Sequence, residues 1–452
     1  MTNSSLRYVA FAAAVTAIGG FLFGYDTAVI NGANSYLKAY MNLSPGQEGL
    51  AGASAILGCI PGAMFAGFLS DKYGRKRLLL VCAALFAISG LFSALPRTFE
   101  QFLIARLISG VGIGASSVVC PVYIAEIAPE KLRGRLGTLF QLGIVTGIFL
   151  TLFINKLIQG MGDEAWNVAS GWRWMLGMEV VPALIFIGLL FTVPESPRWL
   201  AQQGRSDEAR TILVRVGGDE HAGIELAAIQ SVAGMVGGSL SDLFTRTYFR
   251  LLFIAMVLMV CSQFCGINAI MYYSSKIFES AGAARNAAFT SSIWIGLVNL
   301  LFTFVAILFV DKAGRRPLLL IGTAVQTVAL GLVGWMFHTQ QNGFALLLCV
   351  LLFIAAFAMA MGPIPWILCS EIFPGKVRGR AMSVATFTIW VSCFLVAQTF
   401  PMLNDNPAIG PAVTFWIYGG VSLFSFAFVL AMMPETKGRS LEELERDWKK
   451  PA

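Results

Sequence analysis

Twelve times along this chain an apolar run of about 19 residues or more passes almost without a charge, each long enough to cross ~30 Å of hydrocarbon as a helix. The runs cover residues 8–30, 49–70, 78–96, 101–125, 136–155, 174–193, 251–275, 286–310, 317–337, 343–370, 381–404 and 406–433. Inside a bilayer only helices and closed barrels satisfy every backbone polar group. A barrel would alternate polar and apolar residues in short segments, whereas these runs are continuous. The pattern predicts an all-α membrane protein with twelve transmembrane helices. Composition points the same way: 57% of the 452 residues are hydrophobic and 13% are charged, which excludes a disordered chain and a secreted disulfide scaffold. The first run is too long for a signal-peptide core and is expected to stay as a span.

The net charge of +7 would suggest nucleic acid in a soluble protein. Here topology explains it, and no nucleic-acid partner is expected. Arg7, the clusters at 72–77, 131–135, 198–250, 312–316 and 376–380, and the tail from 437 hold 25 of the 32 Lys and Arg. All seven groups fall on one side if twelve helices alternate, so the positive-inside rule places both termini in the cytoplasm. The eight cysteines lie inside apolar runs with no paired spacing and no histidine nearby, as packing residues do. No metal site and no cofactor is called for. With only His221 and His338 in the chain and no nucleophile–base pair, an enzyme is not expected.

A polar stretch at 194–250 divides the chain into six-helix halves at 1–193 and 251–433, with a tail at 434–452. This linker contains helical pieces, one with Ser206 placed as an N-cap. The halves repeat. Asp71-Lys-Tyr-Gly-Arg-Lys recurs 240 positions later as Asp311-Lys-Ala-Gly-Arg-Arg, and Pro194-Glu-Ser recurs as Pro434-Glu-Thr. Glu126-Ile-Ala-Pro-Glu-Lys-Leu-Arg133-Gly-Arg135 recurs 245 positions later as Glu371-Ile-Phe-Pro-Gly-Lys-Val-Arg378-Gly-Arg380. Such parallel repeats, related by an axis along the membrane normal, describe one large transporter class. In it the substrate binds near the midplane between the halves, and rocking of one half against the other alternates access.

With these motifs stand Gly19-Gly-Phe-Leu-Phe-Gly-Tyr-Asp26, Pro194-Glu-Ser-Pro-Arg198, Gln263-Phe-Cys-Gly-Ile-Asn268, Pro363-Ile-Pro-Trp366 and Pro434-Glu-Thr-Lys-Gly438. In this order and over essentially its whole length, the chain resembles the sugar-porter branch of the major facilitator superfamily. The Gly171-Trp-Arg-Trp stretch and the Leu441-Glu-Glu-Leu-Glu tail resemble the bacterial xylose-type sugar–proton symporters. The resemblance implies two pseudo-symmetric six-helix bundles, with a monosaccharide and a proton as partners. It also implies a chain that acts as a monomer in the lipid bilayer of the inner membrane.

Three ionisable side chains fall within the twelve runs: Asp26, Arg106 and Glu179. A charge at a helix centre costs about 2.5–3.5 kcal/mol on insertion scales, so each calls for a partner. Measured from the ends of the apolar runs, all three sit near one level of the outer half, where they could meet. The functional reading makes Asp26 a proton carrier that pairs with Arg106 when ionised, with Glu179 as a third member. The alternative is a static ion pair orienting two helices. The resemblance supports coupling, since proton symporters of this branch have Asp at position 26 and the animal glucose facilitators have Asn.

A sugar needs neutral hydrogen-bonding side chains and a flat apolar surface. The seventh run offers Gln263, Asn268 and Tyr272, spread along an arc that can follow a ligand if Gly266 breaks the helix. Gln141 and Asn299 lie on the fifth and eighth runs, and Trp366 and Trp390 offer stacking faces with an indole donor. Gly362-Pro-Ile-Pro interrupts the tenth run, as binding-site helices of transporters often do. The resemblance assigns sugar contact to Phe23, Gln141, Gln263, Asn268, Tyr272, Asn299, Trp366 and Trp390; amides gluing helices together are the alternative. Ile148, Ser262 and Ile389 stand where the xylose-type pattern has glutamines. Fewer donors leave the sugar open between pentose and hexose.

Asp71, Arg75, Glu126, Arg133 and Arg135, matched by Asp311, Arg315, Glu371, Arg378 and Arg380, suggest ion-pair networks that latch the cytoplasmic side. Positive anchoring alone would not require the matched glutamates. The whole reads as a proton-coupled importer of a hexose or pentose. An uncoupled facilitator, a polyol– or inositol–proton symporter, and a transporter-like sugar receptor are the rivals.

Overall fold

The computed structural model describes residues 3–232, 243–341, 343–373, 375–433 and 435; a few side chains within helices, those of Asp311 and Arg378 among them, lie outside the description. The expected tail at 434–452, apart from Glu435, also lies outside the described residues. Among the described residues, twelve helices are long and apolar enough to cross a membrane. They are α1 (Ser5–Met41), α2 (Pro45–Tyr73), α3 (Arg75–Ala94), α4 (Phe99–Ile127), α5 (Leu132–Gln159), α6 (Glu164–Leu190), α7 (Tyr248–Ser280), α8 (Arg285–Val310), α9 (Arg315–His338), α10 (Phe344–Cys369), α11 (Arg380–Asn404) and α12 (Gly410–Met432). The chain is therefore an all-helical, multi-pass membrane protein.

The helices outrun the apolar segments that predict them. The first runs to Met41, eleven residues past residue 30, and the sixth begins at Glu164 rather than 174. Helical hydrogen bonding does not stop where hydrophobicity does; a polar sequence continues the ladder until a cap or a glycine ends it.

Close packing sorts the chain into two compact units. Among the described residues, the first comprises those up to Val29, Ser54–Thr151 and 172–232. Within it α1 and α5 cross at very short range. Cβ atoms at Gly20 and Gly24 would overlap the carbonyls of Phe140 and Ile144, and Cβ atoms at Gly143 and Gly147 would overlap those of Ala17 and Phe21. Glycines four apart on both partners bring two backbones together where lipid provides no hydrophobic drive for association. This unit also holds three linker helices, Pro197–Gln202, Ser206–Gly217 and Asp219–Val232. They pack around Trp199, Leu200 and Ala209, with Ile212 and Leu226 against them. Ser206 is the first helical residue rather than the cap; Arg205 holds that position without a side-chain cap bond. A two-pronged pair from Arg205 to Glu208, at 2.6 and 2.7 Å, spans the first turn instead.

The second unit comprises Ile30–Ala53, Leu152–Gly171 and the described residues from Gly237 on. Two of its helices are broken. In α7 regular helix ends at Phe264 and restarts at Ile267, with Gly266 at φ +89° between them. A side chain there would also strike the Tyr418 ring. In α10 the break spans Ala360 to Pro363, where Gly362-Pro-Ile-Pro interrupts the ladder.

Candidate functional site

The three intramembrane charges of the first unit come together. Asp26, Arg106 and Glu179 are all buried. Arg106 Nη1 donates to Asp26 Oδ1 and forms an ion pair with it, while Nη2 donates to the Asp26 backbone carbonyl at 3.3 Å. Glu179 sits where α6 breaks between Trp172–Gly177 and Val180–Leu190, within electrostatic reach of both Asp26 and Arg106. Its Cβ packs over Gly90 of α3. From the position before Asp26, the Tyr25 hydroxyl donates to the Met175 carbonyl at 3.0 Å and ties α1 to α6.

The expected common level is reached by a different route from the one the apolar runs suggest. Asp26 lies fifteen residues before the end of α1 and Arg106 seven after the start of α4. That puts them ~22 and ~10 Å from those ends at 1.5 Å per residue. The groups meet although they stand at unequal distances from their helix ends.

Two acids lie within electrostatic reach of one guanidinium here, and Asp26 alone is paired with it. Among the described residues, Asp26 Oδ2, Glu179 Oε1 and Arg106 Nε make no hydrogen bond although each is buried. Buried polar atoms are nearly always paired, so three unpaired atoms in one cluster are unusual.

The expected sugar contacts divide between the units. Phe23, half-buried, and Gln141, exposed, belong to the first; the other six belong to the second. In the second unit Asn268 Nδ2 donates to Gln263 Oε1, and Gln263 Nε2 donates to Ser262 Oγ at 3.0 Å. The Ser262 hydroxyl passes on to the Met259 carbonyl at 2.8 Å. This relay crosses the Gly266 break, so the amides lie side by side although five residues apart in sequence. Tyr272 is hydrogen-bonded with Cys393 of α11. Tyr272, Asn299 and Trp390 are buried, while Trp366, three residues past the α10 break, is exposed. The relay brings Gln263 and Asn268 together; Tyr272 engages α11 instead.

At the other end of each unit, the repeated motifs build the same device twice. Arg75 grips Glu126 with Nε and Nη2 at 2.9 and 3.0 Å and reaches Asp71 at 3.0 Å. Ser196 Oγ donates to Glu126 at 2.6 Å. Glu195 accepts from the backbone N–H groups of Arg75 and Lys76 at 3.0 Å, capping the start of α3 where a negative charge is favoured. In the second unit Arg315 pairs with Glu371 at 2.8 Å, and Glu435 accepts from the N–H groups of Arg315 and Arg316 at 3.1 and 3.2 Å. Arg133 departs from the expected network and faces Glu225 of the linker, 3.9 Å away. Arg135 and Arg380 are exposed, and the Asp311 and Arg378 side chains lie outside the description. The capping glutamates were missed from sequence, although their place in the repeated Pro-Glu-Ser and Pro-Glu-Thr motifs was visible.

Sequence reading also missed four charges of the second unit, Lys38, Glu48, Lys276 and Asp405. Each falls one to eight residues outside an apolar run.

Known proteins match along the whole chain. The family model described as "Sugar (and other) transporter" matches residues 12–448. The arabinose-proton symporter of Bacillus subtilis (strain 168) is 42% identical over 448 residues, covering 99% of this chain and 96% of that one. The D-xylose-proton symporter of Escherichia coli (strain K12) is 38% identical, covering 99% and 97%. A partially occluded inward-open structure of the xylose transporter XylE from E. coli superposes with a TM-score of 0.86 at 36% identity, covering 96% of this chain and 100% of that one. These matches are transporters, not enzymes. With its repeated motifs, broken helices and paired intramembrane charges, the chain belongs to the Sugar (and other) transporter family, the sugar porters of the major facilitator superfamily.

Proposed function

We propose that this protein imports a monosaccharide, a pentose or hexose, together with a proton by alternating access. The observation that carries the reading is the buried Arg106–Asp26 pair beside Glu179, with one Asp26 oxygen left without a hydrogen bond among the described residues. A buried charge is tolerable when paired and costly when alone. Ionised, Asp26 holds Arg106; protonated, it gives up that attraction, and the balance between conformations shifts. With Asp26 protonated, Glu179 stands within electrostatic reach of the freed guanidinium as a second acid. Relatives named as arabinose- and xylose-proton symporters support both the substrate class and the coupling ion.

Sugar hydroxyls are read as replacing the Asn268–Gln263–Ser262 relay bonds, with Tyr272, Asn299, Trp366 and Trp390 from the second unit and Phe23 and Gln141 from the first as further contacts. The Arg75–Glu126 and Arg315–Glu371 clusters act as cytoplasmic latches, to which we also assign Asp71, Arg133, Arg135, Asp311, Arg378 and Arg380 of the same repeated motifs. Both termini face the cytoplasm, and the protein works as a monomer in the inner membrane. Its organisation is two six-helix bundles at 1–193 and 251–433, joined by the linker at 194–250 and followed by the tail at 434–452.

Vesicles carrying the protein, an imposed pH gradient and labelled xylose, arabinose and glucose test the reading. Uphill accumulation of at least one sugar is expected, and it collapses with a protonophore. In Asp26→Asn, exchange of that sugar across the membrane persists while accumulation is lost. Accumulation that ignores the gradient points to an uncoupled facilitator; a mutant that still concentrates sugar removes Asp26 from coupling.

A further inference from the structure

A second charge cluster lies in the second unit, separate from the groups assigned to coupling, sugar or cytoplasmic latch. Glu48, at the start of α2, is fully buried. Lys276 Nζ reaches both of its carboxylate oxygens at 2.8 Å, and Lys38 Nζ reaches one at 2.7 Å. The same two ammonium groups also share Asp405, at 2.9 Å from Lys276 and 3.2 Å from Lys38. Asn34 donates to Glu48 at 3.2 Å, and Asn404 donates to Asp405 at 3.0 Å. Two cations and two anions thus close a neutral ring.

The ring joins distant parts of the sequence. Lys38 and Glu48 precede the linker; Lys276 and Asp405 follow it. Within about two turns of the ring the same segments are bound again: Asn31 donates to the Met271 carbonyl at 2.9 Å and to Ser274 Oγ, and Ser275 Oγ donates to the Asn31 carbonyl at 2.7 Å. Beside them the Tyr273 hydroxyl donates to the Ala397 carbonyl at 3.0 Å, and its oxygen fills the space a side chain at Gly52 would need. Ion pairs backed by a layer of side-chain hydrogen bonds exclude water from a closure, whereas scattered surface pairs contribute little.

We propose that Lys38, Glu48, Lys276 and Asp405 form a charge lock that holds the extracytoplasmic side of the transporter shut, and that its release is required for sugar to enter from outside. The inference rests on the alternating-access reading, because only that reading demands that these segments part. The ring suits such a task. Separating it exposes four charges that water can solvate, so opening is reversible, whereas an apolar seal would reward closure alone. Both lysines touch both carboxylates, but the Lys276 side chain is 13% exposed against 34% for Lys38, which makes Lys276 the keystone.

Right-side-out vesicles containing the full chain test this with a membrane-impermeant maleimide and a reporter, Ser274→Cys, one layer beneath the ring. The parent reporter is expected to label slowly. Adding Lys276→Gln or, independently, Asp405→Asn is expected to raise the labelling rate by about two- to fivefold, the scale of a lost partly exposed ion pair. Mass spectrometry should find the label confined to the thiol introduced at position 274. Spread to buried native cysteines such as Cys82 and Cys120 would signify unfolding and overturn the assignment for that variant. Asp405→Asn leaves Glu48 paired with both lysines and so guards against loss of fold. Unchanged labelling in both variants overturns the lock. Labelling needs no sugar and no proton gradient. Faster labelling in a protein that moves no sugar would uphold the lock while the transport reading fails; gradient-driven uptake with unchanged labelling would do the reverse.

Discussion

Removing the guanidinium of Arg106 leaves two buried acids with no cation, whereas removing the carboxylate of Asp26 leaves one buried cation with Glu179 still in reach. The two truncations are therefore not equivalent. Arg106→Leu is expected to destabilise the protein by about 3–5 kcal/mol at neutral pH, the usual result of stripping one member from a buried pair. Asp26→Asn should cost clearly less, and adding it to Arg106→Leu should recover part of the loss. Thermal melts of the two single variants and the double variant in detergent give the coupling energy directly. Equal single-site costs with an additive double variant would mean that the pair is not the electrostatic unit described. At this scale the sequence was informative, because a charge inside an apolar run is conspicuous. The partner of Arg133 was not legible: Glu225 lies on a linker helix whose packing depends on the Trp199 core rather than on any local pattern.

Among the helices, α7 depends most visibly on one residue. Gly266 takes a left-handed conformation, and the Tyr418 ring occupies the space where a Cβ would go. Gly266→Ala meets both obstacles. Backbone strain alone is about 1–2 kcal/mol for a residue with a Cβ, and displacing the ring adds to it. A lower melting temperature is expected, along with weaker sugar binding in equilibrium dialysis, because the Asn268–Gln263 relay exists only across this break. A variant with wild-type affinity would separate the relay from sugar recognition. The break itself was readable as a glycine within an apolar span, and so was the Pro-rich interruption of α10. The ends of the helices were less readable. The sequence Asn31-Gly-Ala-Asn-Ser-Tyr-Leu-Lys looks like a loop by hydropathy, yet it continues α1. Lys38, Glu48 and Lys276 of the charge ring lie just past such misplaced ends, and Asp405 one residue past a correctly placed one, which is why the ring stayed hidden.

Across the molecule, the charge ring meets acid through Asp405. Burial pushes this carboxyl up. Hydrogen bonds from Lys276 and Asn404 and the charges of Lys276 and Lys38 outweigh it, so Asp405 is held below the ordinary aspartate value. A group depressed in the folded state contributes stability above its unfolded pKa, ~3.9, and loses it as pH falls through the folded value. The melting-temperature difference between the parent and Asp405→Asn should stay constant from pH 7 to about 5 and vanish only below ~3.9. A difference that fades near pH 6 would show that the ring titrates in the working range. The twelve spans and the duplicated cytoplasmic motifs followed from hydropathy and repetition alone. The glycine-lined crossing of α1 and α5 did not, since its logic lies in which carbonyl faces which missing side chain. One consequence follows from the length of α1. Asp26 and Lys38 ride the same uninterrupted rod, twelve residues and so ~18 Å apart. The proposed proton carrier and the proposed lock thus share a single helix, so any rotation of that helix about its axis would be felt at both.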